Sequence, residues 1–322
     1  MPSLIHYYEQ LELRNPVVIV AFGGWNDAAD SATTAIKFLI DRWKPEKIAE
    51  IESEDFFVFT EVRPIVKIVD GVQRTIVWPT NQFLGHRTPE LDQDVILFLG
   101  VEPQLKWKTF SAVFLEVCKY FHASEVVFLG ALLADVPHSM AVPITCTSSD
   151  HEILERLQEM DVKNSRYEGP TGMLGVLHDA LRRANIASAT FWAAAPHYLA
   201  ATPNIKVTAA LLTYLNTFLS FGLDLNEIQA DAVNFDQQVT KLVSRDPEVS
   251  AYVRKLEEQL QRRLEGEEDD EDEDEDLLDM DRIEGTGPLP SADSLIRDVE
   301  QLLREQRKNG WQSQNDDDEE KE

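Results

Sequence analysis

Six consecutive apolar residues, Val17-Val18-Ile19-Val20-Ala21-Phe22, follow Pro16 and stop at Gly23-Gly24. Strand side chains alternate between two faces, so a run that is apolar at every position needs both faces covered, which predicts a central strand between helical layers. A helical pattern follows at once. Ala28, Ala32, Ala35, Ile36, Leu39, Ile40 and Trp43 recur at roughly helical spacing, and Asn26 or Asp27 stands where a helix N-cap is needed.

The same alternation continues along the chain. Apolar runs at 48–51, 95–99, 126–129, 144–147 and 188–193 read as strands, and patterns at 107–121, 150–160, 172–184 and 204–221 read as helices. Residues 65–69 and 73–78, joined through Asp70-Gly71, read as an antiparallel hairpin, because that dipeptide favours positive φ angles. The expected fold class is therefore α/β: a three-layer α/β/α arrangement with a mostly parallel central sheet. Two thiols, Cys118 and Cys146, lie far apart in apolar surroundings, which predicts buried reduced cysteines rather than a disulfide framework.

Sheet-like periodicity ends near Gly222, which sets the expected domain at residues 1–222. Residues 223–265 are expected to form a helical arm, with Asp246 as cap and Pro247 at the first helical position of its second helix. Residues 267–276 are ten acidic side chains in succession, whose repulsion predicts disorder; the acidic linker is placed at 266–290. Leu295, Val299, Leu302 and Leu303 are compatible with a short helix at 291–308, and 309–322 is again an acidic tail.

Charge excludes some partners. The formal net charge is -28, of which -18 falls in residues 265–322, where 24 side chains are acidic and 6 basic. Without a basic patch such a surface repels phosphate backbones and anionic lipid heads, so neither nucleic acid nor membrane is an expected partner. The first ten residues carry no cationic segment before an apolar run, and the greasy stretch 209–223 is interrupted by Thr213, Asn216, Thr217 and Ser220. The expectation is a cytoplasmic protein with neither an export signal nor a membrane span.

Chemistry-bearing residues gather just past strand ends, where open α/β sheets bind ligands. Gly24, Trp25 and Asp27 follow the first strand; Glu102 and Trp107 follow another; Asp135 and His138 follow a third; His197 follows the last. Glu168 and Thr171 lie in the glycine-rich turn 167–175, where Thr171 is placed to cap the next helix. The loops after the first three of these strands are expected to open on one edge of the sheet. These ten residues form a candidate pocket or interface cluster, with Asp27, Glu102, Asp135, His138 and His197 as the polar set of any active site. There is no GxGxxG, P-loop lysine, G-x-S-x-G elbow, HExxH or paired-cysteine spacing, so no catalytic residue, metal ligand or cofactor is assigned.

Five ordered blocks, GGWNDAADSA (23–32), GVEPQLKW (100–107), LGALLADVPH (129–138), YEGPTGMLGVLHDA (167–180) and WAAAPHY (192–198), resemble the PAC2 family, named for a eukaryotic proteasome assembly chaperone subunit. The resemblance spans the α/β domain. It implies a fold similar to nucleoside-phosphorylase-like domains, self-assembly into a small homo-oligomer and, as in some relatives, binding to proteasome α-subunits. The implied role is a non-enzymatic interaction or assembly factor meeting α-subunits or another protein with a basic surface. The alternative is an enzyme or small-molecule-binding protein with a strand-end pocket.

Overall fold

The computed structural model describes residues 4–8, 11–69, 72–165, 167–200 and 203–265. The acidic linker, the short helix expected at 291–308, the terminal tail and the Asp70-Gly71 turn all lie outside them.

Eleven strands are described: β1 (Ile5–Tyr7), β2 (Val17–Gly23), β3 (Glu46–Ile51), β4 (Ile65–Val69), β5 (Gln73–Val77), β6 (Asn81–His86), β7 (Val95–Val101), β8 (Glu125–Ala134), β9 (Ile144–Ser148), β10 (Lys163–Asn164) and β11 (Ala187–Pro196). Nine of them form one sheet in the order β1-β3-β6-β7-β2-β8-β11-β9-β10. Its centre, β7-β2-β8-β11, is parallel. Antiparallel pairs β6/β7, β3/β6 and β1/β3 extend one side, and β9 runs antiparallel to β11 on the other. The sheet is thus mixed at its flanks around the parallel core that the sequence pattern predicts.

Strict alternation along the central strands feeds two cores. Val17, Ile19 and Ala21 of β2 point to one face, with Val95 and Leu97 of β7 and Val127 and Leu129 of β8. There they meet α1 (Ser31–Trp43) through Ala32, Ile36 and Leu39, and α5 (Ile205–Leu219) through Leu211, Leu212 and Leu215. Val18, Val20 and Phe22 point to the other face, against Phe110, Phe114 and Val117 of α2 (Trp107–Tyr120) and Met173, Leu174 and Leu177 of α4 (Met173–Arg183). This is the three-layer arrangement, produced by a strand that is apolar at every position. The two cysteines are free and buried, Cys146 in the first core and Cys118 in the second, so the sheet stands between them. Burial pushes both thiols up to about 12.

The third helix, α3 (His151–Glu159), starts on an Asp150 carboxylate that accepts from the Ile153 amide at 3.2 Å. Two further helices, α6 (Asn226–Val243) and α7 (Pro247–Glu265), follow α5. Leu225, Ile228 and Ala232 enter the α1/α5 core, whereas Phe235, Val239, Leu242, Val249, Val253 and Leu256 form a separate cluster on Tyr198 and Leu199. Helices α6 and α7 are thereby fastened to the end of β11. Among the described residues no helix is long and apolar enough to cross a membrane.

Strands β4 and β5 pair only with each other, and all ten of their residues are exposed. Cross-strand partners share a face, so Val66, Ile76, Ile68 and Arg74 form one side, and Ile65, Val77, Lys67, Thr75, Val69 and Gln73 the other. At its base the Trp78 ring meets Phe59 edge-on at 4.8 Å.

Candidate functional site

The loops after β2, β7 and β8 do open on one edge, since these strands are parallel. Their polar residues are nevertheless drawn apart: Asp27 to the start of α1, Glu102 to a network at the start of α4, and Asp135 and His138 to one beneath α6 and α7.

The first network grows from a glycine. Gly24 adopts φ +130°, and a Cβ on it would lie 3.2 Å from the Glu102 Cβ, so only glycine lets the chain leaving β2 pass close to the β7 loop. Glu102 Oε1 accepts from Asn26 Nδ2 at 2.9 Å and from the Met173 amide at 2.8 Å. The carboxylate thereby fills the anion position at the N-terminus of α4. Thr171 does not cap that helix, contrary to the sequence expectation: the N-cap residue is Gly172, without a side-chain cap bond of its own. The physical reason is that Glu102 reaches the first amide from the opposing loop. A Cβ on Gly172 would fall 2.5 Å from Asn26 Oδ1 and 2.9 Å from Glu102 Oε1, so the cap requires glycine there too.

Asp27 looks the other way. Its carboxylate accepts from the Ala32 and Thr33 amides at 2.7 and 3.2 Å and from the Thr33 hydroxyl at 2.5 Å, capping α1 as its position suggested. Burial raises its pKa and those hydrogen bonds oppose the rise. Trp107 opens α2, its indole donating to the Pro103 carbonyl at 2.6 Å. Trp25 stands half-exposed and Glu168 is exposed.

Trp25 and Thr171 border a cavity of about 180 Å³, together with Tyr167, His178, Thr190 and Trp192. Asp27, Glu102, Asp135, His138 and His197 do not line it. Trp192 is paired with Gly130 across the parallel β11/β8 register, and a Cβ on Gly130 would come within 2.5 Å of the indole. The ring can lie across the strand because no side chain stands beneath it. Sequence reading left Trp192, Thr190 and His178 out of the site, since only the register brings Gly130 and Trp192 together.

The second network lies where the ends of β8 and β11 meet α6 and α7. His138 is buried; its Nδ1 lies 2.8 Å from the Tyr198 hydroxyl and its Nε2 3.1 Å from the Thr240 hydroxyl of α6. The Lys206 ammonium donates to the His138 carbonyl and pairs with Asp236 at 3.0 Å. Desolvation lowers the His138 pKa to about 4, so the imidazole is neutral near pH 7. His197 Nδ1 lies 3.2 Å from Asp135 Oδ1, the same oxygen that accepts from the Tyr252 hydroxyl of α7 at 3.3 Å. Three of the ten candidates thus join the arm to the strand ends. Among the described residues no group of three or more His, Cys, Asp or Glu side chains is placed to hold a metal ion.

A family model described as the PAC2 family matches residues 21–243. A crystal structure of a PAC2 family protein from Streptomyces avermitilis is 38% identical, with a TM-score of 0.68, covering 74% of this chain and 99% of that one. A proteasome-assembly chaperone homologue from Mycobacterium tuberculosis is also 38% identical, with a TM-score of 0.67 over 74% of this chain and 99% of its own. An archaeal proteasome activator from Pyrococcus furiosus, 16% identical with a TM-score of 0.60 over 74% of this chain and 97% of its own, shares the fold. The search among curated proteins finds no match.

Proposed function

The chain belongs to the PAC2 family, and from that premise we propose that it is a non-enzymatic interaction and assembly factor, resembling proteasome-assembly chaperones and working as a small homo-oligomer. In this reading the oligomer sits in the cytoplasm and meets proteasome α-subunits or another protein with a basic surface, to which a net charge of -28 is complementary. The 38% identity to a mycobacterial proteasome-assembly chaperone homologue supports it.

The observation that carries the reading is the β4/β5 hairpin. An isolated two-stranded ribbon is marginal in water, yet here Ile65 and Ile68 are each 63% exposed and Val72 is 87% exposed. Val66, Ile68 and Ile76 expose apolar surface on one face of the ribbon and Ile65, Val69 and Val77 on the other, and exposed apolar surface of this kind marks a protein contact. Arg63, Lys67 and Arg74 accompany it, and a groove of about 660 Å³ lined by Glu50, Glu52, Glu54, Phe59 and Trp78 opens at its base. Cationic, apolar hairpin and acidic, aromatic groove are complementary between two copies of the chain, so the hairpin serves self-assembly.

Sedimentation of the purified chain tests this, with Ile68→Lys/Ile76→Lys as the partner sample. Wild type is expected to sediment well above its 36.6 kDa and the double variant as a folded monomer. Capture with tagged wild-type chain is expected to enrich proteasome α-subunits. A monomeric wild type, with no α-subunit enriched, removes the reading.

A further inference from the structure

Protein interiors hold few voids larger than a water molecule, and an engineered apolar cavity of about 150 Å³ already admits benzene. The cleft of about 180 Å³ beside β11, which is open to solvent past Trp25, is therefore large enough to receive a single ring system. We propose that it is a binding site for a small, uncharged, planar ring compound of indole or purine-base size.

Three aromatic rings, Trp25, Tyr167 and Trp192, border it and set the preference for a flat ligand. Two glycines place two of these rings: Gly130 leaves room under Trp192, and a Cβ on Gly169 would collide with the Tyr167 hydroxyl, which donates to the Pro170 carbonyl at 3.1 Å. Half-exposed Trp25 leaves the cavity accessible from solvent.

Among the described residues, no Asp, Glu, Lys or Arg belongs to its lining. The polar groups are hydroxyls, among them those of Thr147 and Thr190, and the imidazole of His178, whose Nδ1 lies 3.0 Å from the Ser188 hydroxyl. Burial favours the neutral form of that imidazole. The nearby helix end would ordinarily attract an anion, but Glu102 already holds the Met173 amide. A phosphate or carboxylate would therefore enter beside an existing carboxylate, with no cation among the described lining residues to receive it. A neutral ring with a hydrogen-bonding edge meets no such penalty: its faces take the aromatic walls and its edge the hydroxyls.

Indole and adenine are the probes, titrated calorimetrically into the full chain, with indole-3-carboxylate as the charged counterpart. Both neutral rings are expected to saturate with Kd below about 1 mM, and the carboxylate to bind about tenfold more weakly. Thr190→Val keeps the side-chain shape and is expected to weaken adenine about fivefold while leaving the melting temperature unchanged. Trp192→Ala is expected to abolish binding; should it fail to fold, Trp25→Ala at the exposed mouth takes its place. The proposal is overturned if neither neutral ring saturates, if indole-3-carboxylate binds as tightly as indole, or if the folded cavity variants bind adenine like wild type.

Discussion

His138 shows how a residue suited to acid/base chemistry becomes a neutral structural group once it is buried. Its ring is held between the Tyr198 and Thr240 hydroxyls, with Lys206, Asp236 and Glu257 as the charges around it. Desolvation is the leading cause that moves its pKa from 6.5 to about 4. The sign follows from that depression. Above pH 6.5 the imidazole is neutral both folded and unfolded, and the full stability is present. Below it the unfolded chain takes up a proton that the folded one refuses, so stability falls as pH falls towards about 4. Between pH 7 and pH 5 this one group is expected to cost about 2 kcal/mol. Urea unfolding of wild type and His138→Gln at the two pH values checks it: the variant should lose correspondingly less stability on acidification, and equal losses would remove the assignment. Glu102 makes the complementary point at this scale. A carboxylate at a strand end suggests catalysis in a sequence, but here it links Asn26 to the first amide of α4.

Among the elements, α7 separates pattern from position. Leucines four apart, Leu256, Leu260 and Leu264, with opposite charges beside them, suit a helix packed on the domain or on another subunit. The fold selects the former for Val253 and Leu256, which are buried against Tyr198, Phe235 and Val239. Leu256→Ala is expected to destabilise the chain by about 2 to 4 kcal/mol, because the void would lie inside a cluster built from two helices and the end of β11. Urea denaturation at neutral pH measures it, and a loss below about 1 kcal/mol would mean that the arm is only loosely attached. The hairpin presents the reverse case. Asp70-Gly71 and the β-branched flanks specify β4 and β5 locally, but nothing local supplies a third strand or a covering helix.

For the whole molecule, charge and core divide between different stretches of chain. Both large cores are built from residues between Ile5 and Ala232, whereas residues 265–322 carry -18 of the -28 net charge. Deleting residues 266–322 is therefore expected to shift the melting temperature by less than about 5 °C. A larger drop in calorimetry would show that this stretch contributes to the fold. The sequence by itself pointed to the three-layer architecture: six apolar residues in succession at 17–22, bounded by Pro16 and Gly23-Gly24, read as a strand covered on both faces, and the 3.6-residue periodicity of 28–43 supplies one cover. It also narrowed the cap of α1 to Asn26 or Asp27, of which Asp27 takes it with amides five and six positions away. Tertiary structure alone decided that Glu102, 71 positions before Met173, would replace Thr171 as the cap of α4. It decided as well that Asp135, His138 and His197 would be bound up with the arm, and that Gly130 would stand opposite Trp192 and leave the indole free to wall a cavity. The physical reason is one of range: helix periodicity and local caps are set within a few residues, whereas a side chain's partner across a sheet depends on strand order and register, which emerge only when the whole core packs.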